Sequence, residues 1–334
     1  MALELHGVAK TYRGKVHALR GIDLNVGRGE VFGLLGPNGA GKSTLIKILM
    51  TVIRPSRCDG HMLGEPVGSK SVLRRIGYLP ENHKFPGYLT GQQVLDFYGA
   101  MSCVDRETRR KRIPELLELV GMGEWGSSKL RQYSKGMRQR IGIAQALMTD
   151  PDLILLDEPT DGVDPAGRLD IRRMLEHMRD SGKTVFLNSH ILSELEQVCS
   201  RVAILVNGEV AKQGDIGQLT AGKERYEIAV ARDNDEGTQL AIENALSSTV
   251  TRGDGGFVLT GGQKVDIRGH RLRVMTDDPE HVQPLLDGLR AASLTVASLR
   301  MLRPSLEDLF MEAVSDNGDR RQVGASRGGK GRAN

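Results

Sequence analysis

Aromatic residues make up only 4% of the 334 positions, with a single tryptophan, Trp125. That scarcity argues against a platform on which the bases of a single nucleic-acid strand would stack. Cysteine is scarce as well. Cys58, Cys103 and Cys199 are the only three, and none sits in a C-x-x-C pair. They cannot form a complete disulfide framework, so a reducing compartment is expected. Long apolar runs are missing. LILL at 153–156 and VAILV at 202–206 are strand-sized, well short of the roughly 18–20 residues that span a bilayer. The opening MALELHGVAK lacks the apolar centre of a secretory leader. The expectation is a chain with no direct membrane span. A charge excess of one sign is also lacking. The 46 Lys and Arg against 42 Asp and Glu give +4, and five basic and two acidic residues in 315–334 supply most of it. A nearly neutral body gives no electrostatic footprint for DNA or RNA, so no nucleic-acid partner is expected.

What is present is an ordinary globular composition, 39% hydrophobic and 26% charged, with 41 glycines. The length predicts two domains. Residues 1–33 read as strands: LELHGVAKTY, VHALRGIDLNV and EVFGLLG. KSTLIKILMT at 42–51 has helical spacing. QQVLDFYGAM and RRKRIPELLELVGM, within 92–122, read as helices, with Pro114 at the first turn of a new helix after a break. A helix over 134–148 leads to the buried-type strand LILLD. IRRMLEHMRDSG follows as a helix, TVFLNSH as a strand, ILSELEQVCS as a helix and RVAILVNGEV as a hairpin turning on Asn-Gly. Alternating strands and helices imply an α/β core with a largely parallel sheet. Past residue 220 the texture changes. YEIAVA, GFVLT and RLRVMT are short strands, QLAIENALS and VQPLLDGLRAA are helices, and SLEDLFMEAV closes as a helix with Ser305 as N-cap and Asp308 three residues on. The expected boundaries are 1–220 for the first domain, with a helical subdomain at about 85–135, 221–315 for a C-terminal α+β domain, and 316–334 for a disordered tail.

GPNGAGKST, at 36–44, matches G-x-x-x-x-G-K-[ST] between a strand and a helix. Gly36, Pro37, Asn38, Gly39, Ala40 and Gly41 supply a loop whose backbone N–H groups wrap phosphates. The following helix adds its dipole. Lys42 reaches the β and γ phosphates, and the hydroxyl of Ser43, beside Thr44, ligates Mg²⁺. LILLDEP ends in Asp157 and Glu158. Acids at the carboxyl end of a central parallel strand stand where α/β sheets place ligands. Asp157 is expected to hold Mg²⁺ and Glu158 to orient, or take a proton from, the attacking water.

With these motifs in this order, residues 3–220 resemble the ATP-binding cassette (ABC) ATPases. The resemblance implies a P-loop NTPase core with an antiparallel β subdomain and a helical subdomain, and ATP and Mg²⁺ as cofactors. Tyr12 matches the residue that stacks on adenine. YSKGMRQR at 133–140 is similar to the family signature, with Ser134 and Gly136 matching the positions that contact the γ-phosphate of ATP held by the other subunit and Lys135 between them in the same nucleotide-binding segment. TDGVDP is similar to the loop that meets the partner, with Asp164 at the matching acid, and NSH supplies His190 as the switch histidine. Catalysis would rest on Glu158, His190 and Lys42. Two positions depart from the family pattern. IGYLPEN puts Glu81 where glutamine is usual in the phosphate-sensing loop, and Lys135 stands where the signature usually has glycine. A carboxylate can ligate Mg²⁺ or water but cannot donate as an amide does. Both departures resemble the branch of exporter ATPases whose six-helix membrane part is a separate protein, as does RPSLEDLFMEA at 303–313.

The resemblance implies half of each active site per chain. The expected partners are a second copy across two ATP sites and a separate transmembrane permease, met by the segment 92–122 and the Glu81 loop. The expected location is cytoplasmic, peripheral on the inner face of the cell membrane. RETRRKR at 106–112 reads as a solvated helix face. The alternatives are a soluble ABC-type ATPase acting on ribosomes or DNA, a non-catalytic protein with a degenerate site, and an importer ATPase. One P-loop, no sustained heptads between Lys42 and Ser134, and the presence of Lys42, Asp157, Glu158 and His190 set the exporter reading ahead.

Overall fold

The computed structural model describes residues 1–13, 16–221, 224–232, 235–253 and 256–315. The tail expected to be disordered, 316–334, lies outside them. Contacts divide the chain into two units, Met1–Ile216 with Phe310–Asn334, and Gly217–Leu309.

The strands of the first unit are β1 (Leu3–Tyr12), β2 (Val16–Val26), β3 (Val31–Leu35), β4 (Arg57–Met62), β5 (Glu65–Pro66), β6 (Ile76–Leu79), β7 (Leu153–Asp157), β8 (Thr184–Asn188), β9 (Arg201–Val206) and β10 (Glu209–Asp215). Its helices are α1 (Lys42–Leu49), α2 (Gly91–Met101), α3 (Arg106–Leu119), α4 (Lys135–Ala146), α5 (Pro165–Asp180) and α6 (Leu192–Val198). One sheet runs β10-β9-β3-β8-β7-β6 and a second, antiparallel, runs β2-β1-β4-β5. In the first sheet β9, β3, β8, β7 and β6 are parallel, and only β10 is reversed. Every residue of β3, β7 and β8 is buried, the pattern of central parallel strands covered on both faces. Phe32 and Phe186, facing each other in register, stack at 5.8 Å. Leu5, Leu24, Leu45, Leu49 and Leu155 join both sheets and α1 in one core. At β6 a glycine is required by space. A Cβ on Gly77 would lie 2.1 Å from the Ala146 carbonyl oxygen, so α4 ends directly against this strand.

The Asn-Gly hairpin forms as the sequence predicts, with Asn207 and Gly208 at φ 54° and 83° between β9 and β10. Pro114 does not. It lies inside the single helix α3, and the break falls earlier, between Met101 and Arg106. The Asp105 side chain accepts from the Thr108 N–H and starts the helix there, so the turn before Pro114 is already wound. Proline costs most where it removes an established hydrogen bond, and the flanking apolar residues Ile113, Leu116 and Leu117, buried together, hold α3 through that defect. α2 begins with a reciprocal capping box between Thr90 and Gln93.

After α7 (Ile216–Thr220), the second unit contains β11 (Arg225–Val230), α8 (Glu236–Ala245), β12 (Val250–Gly253), β13 (Gly256–Leu259), β14 (Lys264–Arg268), β15 (Arg271–Val274), α9 (Gln283–Ala291) and β16 (Val296–Leu302). Its sheet is antiparallel throughout, in the order β12-β13-β14-β15-β11-β16. Ile228, Leu272 and Val274 pack with Ile242 of α8, its C-cap Leu246, and Leu285 and Leu289 of α9 in a separate core. Residues 306–315 are helical. The Ser305 hydroxyl accepts from the Asp308 N–H, and an Asp308 carboxylate oxygen accepts from the Ser305 N–H.

Candidate functional site

The four loops that follow β3, β8, β7 and β6 carry the predicted motifs, and these strands are consecutive neighbours in the sheet. Their carboxyl ends therefore deliver the phosphate loop, His190, the Asp157–Glu158 pair and the Glu81 loop to one rim. A cavity of about 350 Å³ opens there. It is lined by the loop from Asn38 to Thr44 with Ala18, Glu81, Glu158, Asp161, Asn188 and His190.

The phosphate loop is fixed by its backbone. Gly41 has φ 107°, and a Cβ there would lie 2.5 Å from the Ala18 carbonyl oxygen. Only glycine meets both demands. Gly41 is also the N-cap of α1, and no side chain caps the helix. Its first-turn N–H groups are left for an anion. The Lys42 ammonium is buried and donates to the carbonyls of Gly36 at 2.6 Å and Pro37 at 3.3 Å. Burial holds its pKa below the ordinary lysine value, against the pull of Glu158, Asp157 and Glu81. Such a cation gains by meeting a phosphate.

Asp157 and Glu158 are 3% and 8% exposed. Glu158 adopts φ 54°, left-handed for a side chain that disfavours it. Backbone bonds hold it there: its N–H donates to the Asn188 carbonyl at 2.9 Å, and its own carbonyl accepts from Gln139 Nε2 at 3.2 Å. Its Oε2 pairs with His190 Nδ1 at 2.7 Å and accepts from the His190 N–H at 3.3 Å. Burial pushes the Glu158 carboxyl above the usual carboxylate range, partly offset by His190 and Lys42. Burial likewise raises Asp157, although the Asn188 amide donates to Asp157 Oδ1, and Glu81 raises it further. Tyr78, half-buried, is pushed up to about 12 by burial and then by Asp157 and Glu81, so its phenol stays neutral.

Ser43, Asp157 and Glu81 offer hard oxygen donors, the set that suits Mg²⁺. Asn188 Oδ1, also in this wall, is buried without a hydrogen-bond partner among the described residues. A cation here would offset the burial, and the lesser effect of Glu81, that raise Asp157. The residues present therefore fit the ion.

Other predicted residues lie outside the cavity lining. Ser134 caps α4, its hydroxyl accepting from the Met137 N–H at 3.1 Å. Lys135 pairs with Asp161 at 2.6 Å, and Gly136 lies in the first turn of α4. Asp164 caps α5 through the Gly167 N–H. Tyr12 is 38% exposed at the end of β1, with the Lys10 ammonium 5.1 Å from its ring centroid. Four residues were not among those the sequence singled out: Asn188, Asp161, Gln139 and Ala18. Asn188 was legible as a polar end to the apolar strand TVFLN. Gln139 was hidden in a charged helix, and its burial comes only from α4 packing on the Glu158 loop.

A glycine-rich phosphate cradle, a buried Asp-Glu pair and a mixed α/β sheet define a P-loop nucleoside triphosphatase. Comparison with known proteins narrows this. The family described as ABC transporter matches residues 19–161. The ABC transporter ATP-binding protein sll0415 of Synechocystis is 38% identical, over 95% of this chain and 85% of its own. The daunorubicin/doxorubicin resistance ATP-binding protein DrrA of Streptomyces peucetius is 33% identical, over 96% of this chain and 95% of its own. The dimeric ATP-binding cassette MJ0796, solved in a post-hydrolysis state with ADP and Pi, is 27% identical with a TM-score of 0.59, covering 64% of this chain and 98% of that one. The chain belongs to the ATP-binding subunits of ABC transporters and is an ATPase of that family. No helix among the described residues is long and apolar enough to cross a membrane.

Proposed function

We propose that two copies of this chain close around two ATP molecules and power a separate membrane subunit that exports its substrate. The observation that carries the reading is the division of the motifs. Lys42, Glu158 and His190 line or face one cavity, whereas Ser134 and Gly136 stand apart on the exposed start of α4. A second copy would bring that helix start, with its free N–H groups, onto the γ-phosphate. Asp164, at the head of α5, would meet the same partner.

Within each half-site, the phosphate loop binds the triphosphate, and Lys42 exchanges its carbonyl partners for the β and γ phosphates. Ser43, Asp157 and Glu81 would hold Mg²⁺, which would supply Lewis-acid stabilisation of phosphate charge. Glu158 orients the attacking water and accepts its proton, a role suited to a carboxylate held above its usual pKa. His190 positions Glu158 before the γ-phosphate arrives, and then turns to that phosphate. Tyr12 would stack on adenine once the Lys10 side chain leaves its ring.

Export follows from resemblance to DrrA across nearly the whole chain. α2, α3 and the Glu81 loop supply the docking face for the permease, and the chain works on the cytoplasmic side of the membrane. Residues 1–220 form the motor, with the helical subdomain near 85–135, and residues 221–315 form an accessory, regulatory domain.

Mixing tests the shared site. Lys42→Ala and Ser134→Arg chains should each be inactive. Their heterodimer pairs one intact phosphate loop with one intact signature, so ATP hydrolysis should return on mixing. Continued inactivity of the mixture, with both variants folded, would contradict the reading.

A further inference from the structure

The turn between β14 and β15 in the second unit breaks a pairing rule. In KVDIRGHRLRV, residues 264–274, alternate side chains face one way. Val265, Ile267, Leu272 and Val274 enter the core. Asp266, Arg268, Arg271 and Arg273 therefore share the opposite face. Register sets Arg268 directly across from Arg271. Like charges directly opposite on a sheet destabilise it. The neighbouring register pair, Asp266 with Arg273, is opposite in charge, so the conflict is confined to the Arg268–Arg271 pair beside the turn.

These residues and His270 line a cavity of about 300 Å³. Carboxylates only partly balance them. Arg268 Nε meets Asp266 at 2.9 Å. Arg273 and Arg271 share Glu227, at 3.0 and 3.6 Å. Three guanidiniums thus face two carboxylates. Arg300 on β16, opposite Glu227 in register, adds a fourth cation to that strand pair. His270 gives an independent sign. Its Nε2 accepts from Arg271 Nε at 3.3 Å, which leaves the proton of a neutral ring on Nδ1. That Nδ1 is buried without a hydrogen-bond partner among the described residues. A buried donor with no acceptor is costly, and the guanidinium forks that line the concavity beside it are the groups an anion would meet.

We infer that this concavity binds a phosphate group, either a free phosphorylated molecule or a lipid headgroup. Guanidinium forks match phosphate oxygens in pairs, and the volume suits a small phosphate ester. The site uses only residues of the second unit and is independent of the nucleotide reading.

The test uses the full chain with its phosphate loop saturated by ADP. Inorganic pyrophosphate is titrated calorimetrically, and vesicles of phosphatidylcholine with phosphatidic acid are compared with phosphatidylcholine alone by sedimentation. One further pyrophosphate site would identify a free phosphorylated ligand. Vesicle binding without it would identify a headgroup. Either should weaken about tenfold or more in Arg271→Lys, which keeps the charge and loses the fork. Arg268→Gln, at a strongly exposed side chain, should weaken it likewise, and thermal unfolding confirms that both variants fold. Binding of neither probe, or equal binding by the wild type and both variants, overturns the assignment. The vesicle comparison between variants also separates this site from the basic residues of 315–334.

Discussion

His190 Nδ1 lies 2.7 Å from Glu158 Oε2, joining the loops after β8 and β7. The imidazole is half exposed and the carboxylate nearly buried. The histidine can therefore turn outward while Glu158 stays fixed by its backbone bonds. Glu158→Gln keeps the shape and removes the proton acceptor. Turnover should fall by about 10²–10⁴-fold with ATP affinity little changed, as read by single-turnover kinetics and nucleotide titration. His190→Ala should lower kcat by about tenfold or more, because Glu158 then lacks its positioning partner. Normal hydrolysis by Glu158→Gln would remove Glu158 from this role.

The raised pKa of Glu158 has a definite sign for stability. The folded state holds the proton more tightly than the unfolded chain. The associated stability is fully present below the unfolded value and is lost as pH rises through the raised folded value. At pH 7 the buried ionised carboxylate is therefore a cost. Glu158→Gln should melt at a higher temperature than the wild type at neutral pH, and the difference should vanish at about pH 4. Asp157→Asn, whose parent carboxyl is raised in the same direction by burial, should follow the same pattern. Melting curves at several pH values decide this, and a lower melting temperature for both variants at pH 7 would oppose it.

Lys42 gives a separate handle on binding. Its ammonium is held in the loop by the Gly36 and Pro37 carbonyls. Lys42→Ala removes charge-assisted bonds to the phosphates, each worth about 1.5–3 kcal/mol. ATP affinity should fall by at least tenfold, measured by calorimetry. Retained tight binding would contradict the assignment of this loop.

Much of the core was legible because its signals are local. The buried runs VFGLL, LILLD and TVFLN fixed three adjacent parallel strands, and GPNGAGKST fixed a glycine with φ 107° at the start of a helix. Pro114 misled, since proline is usually read as a boundary, whereas burial of Ile113, Leu116 and Leu117 keeps α3 continuous. β4, β5, β6, β12, β14 and β16 were also missed. VASLRML in β16 is mostly exposed at a sheet edge. In the site, Lys42, Glu158, His190 and Glu81, which line the cavity, were singled out by motif. Their hydrogen-bonding neighbours were not: Asn188 holds Asp157 and Gln139 holds the Glu158 carbonyl only through tertiary packing.

The most direct measurement is the molar mass in solution of the Glu158→Gln chain, by light scattering, with Mg²⁺ and ATP and again with ADP. Two chains per particle are expected with ATP and one with ADP, and a single chain with ATP once Ser134 is also replaced by Arg. A particle of one chain at saturating ATP, with the permease partner present as well as absent, would contradict it.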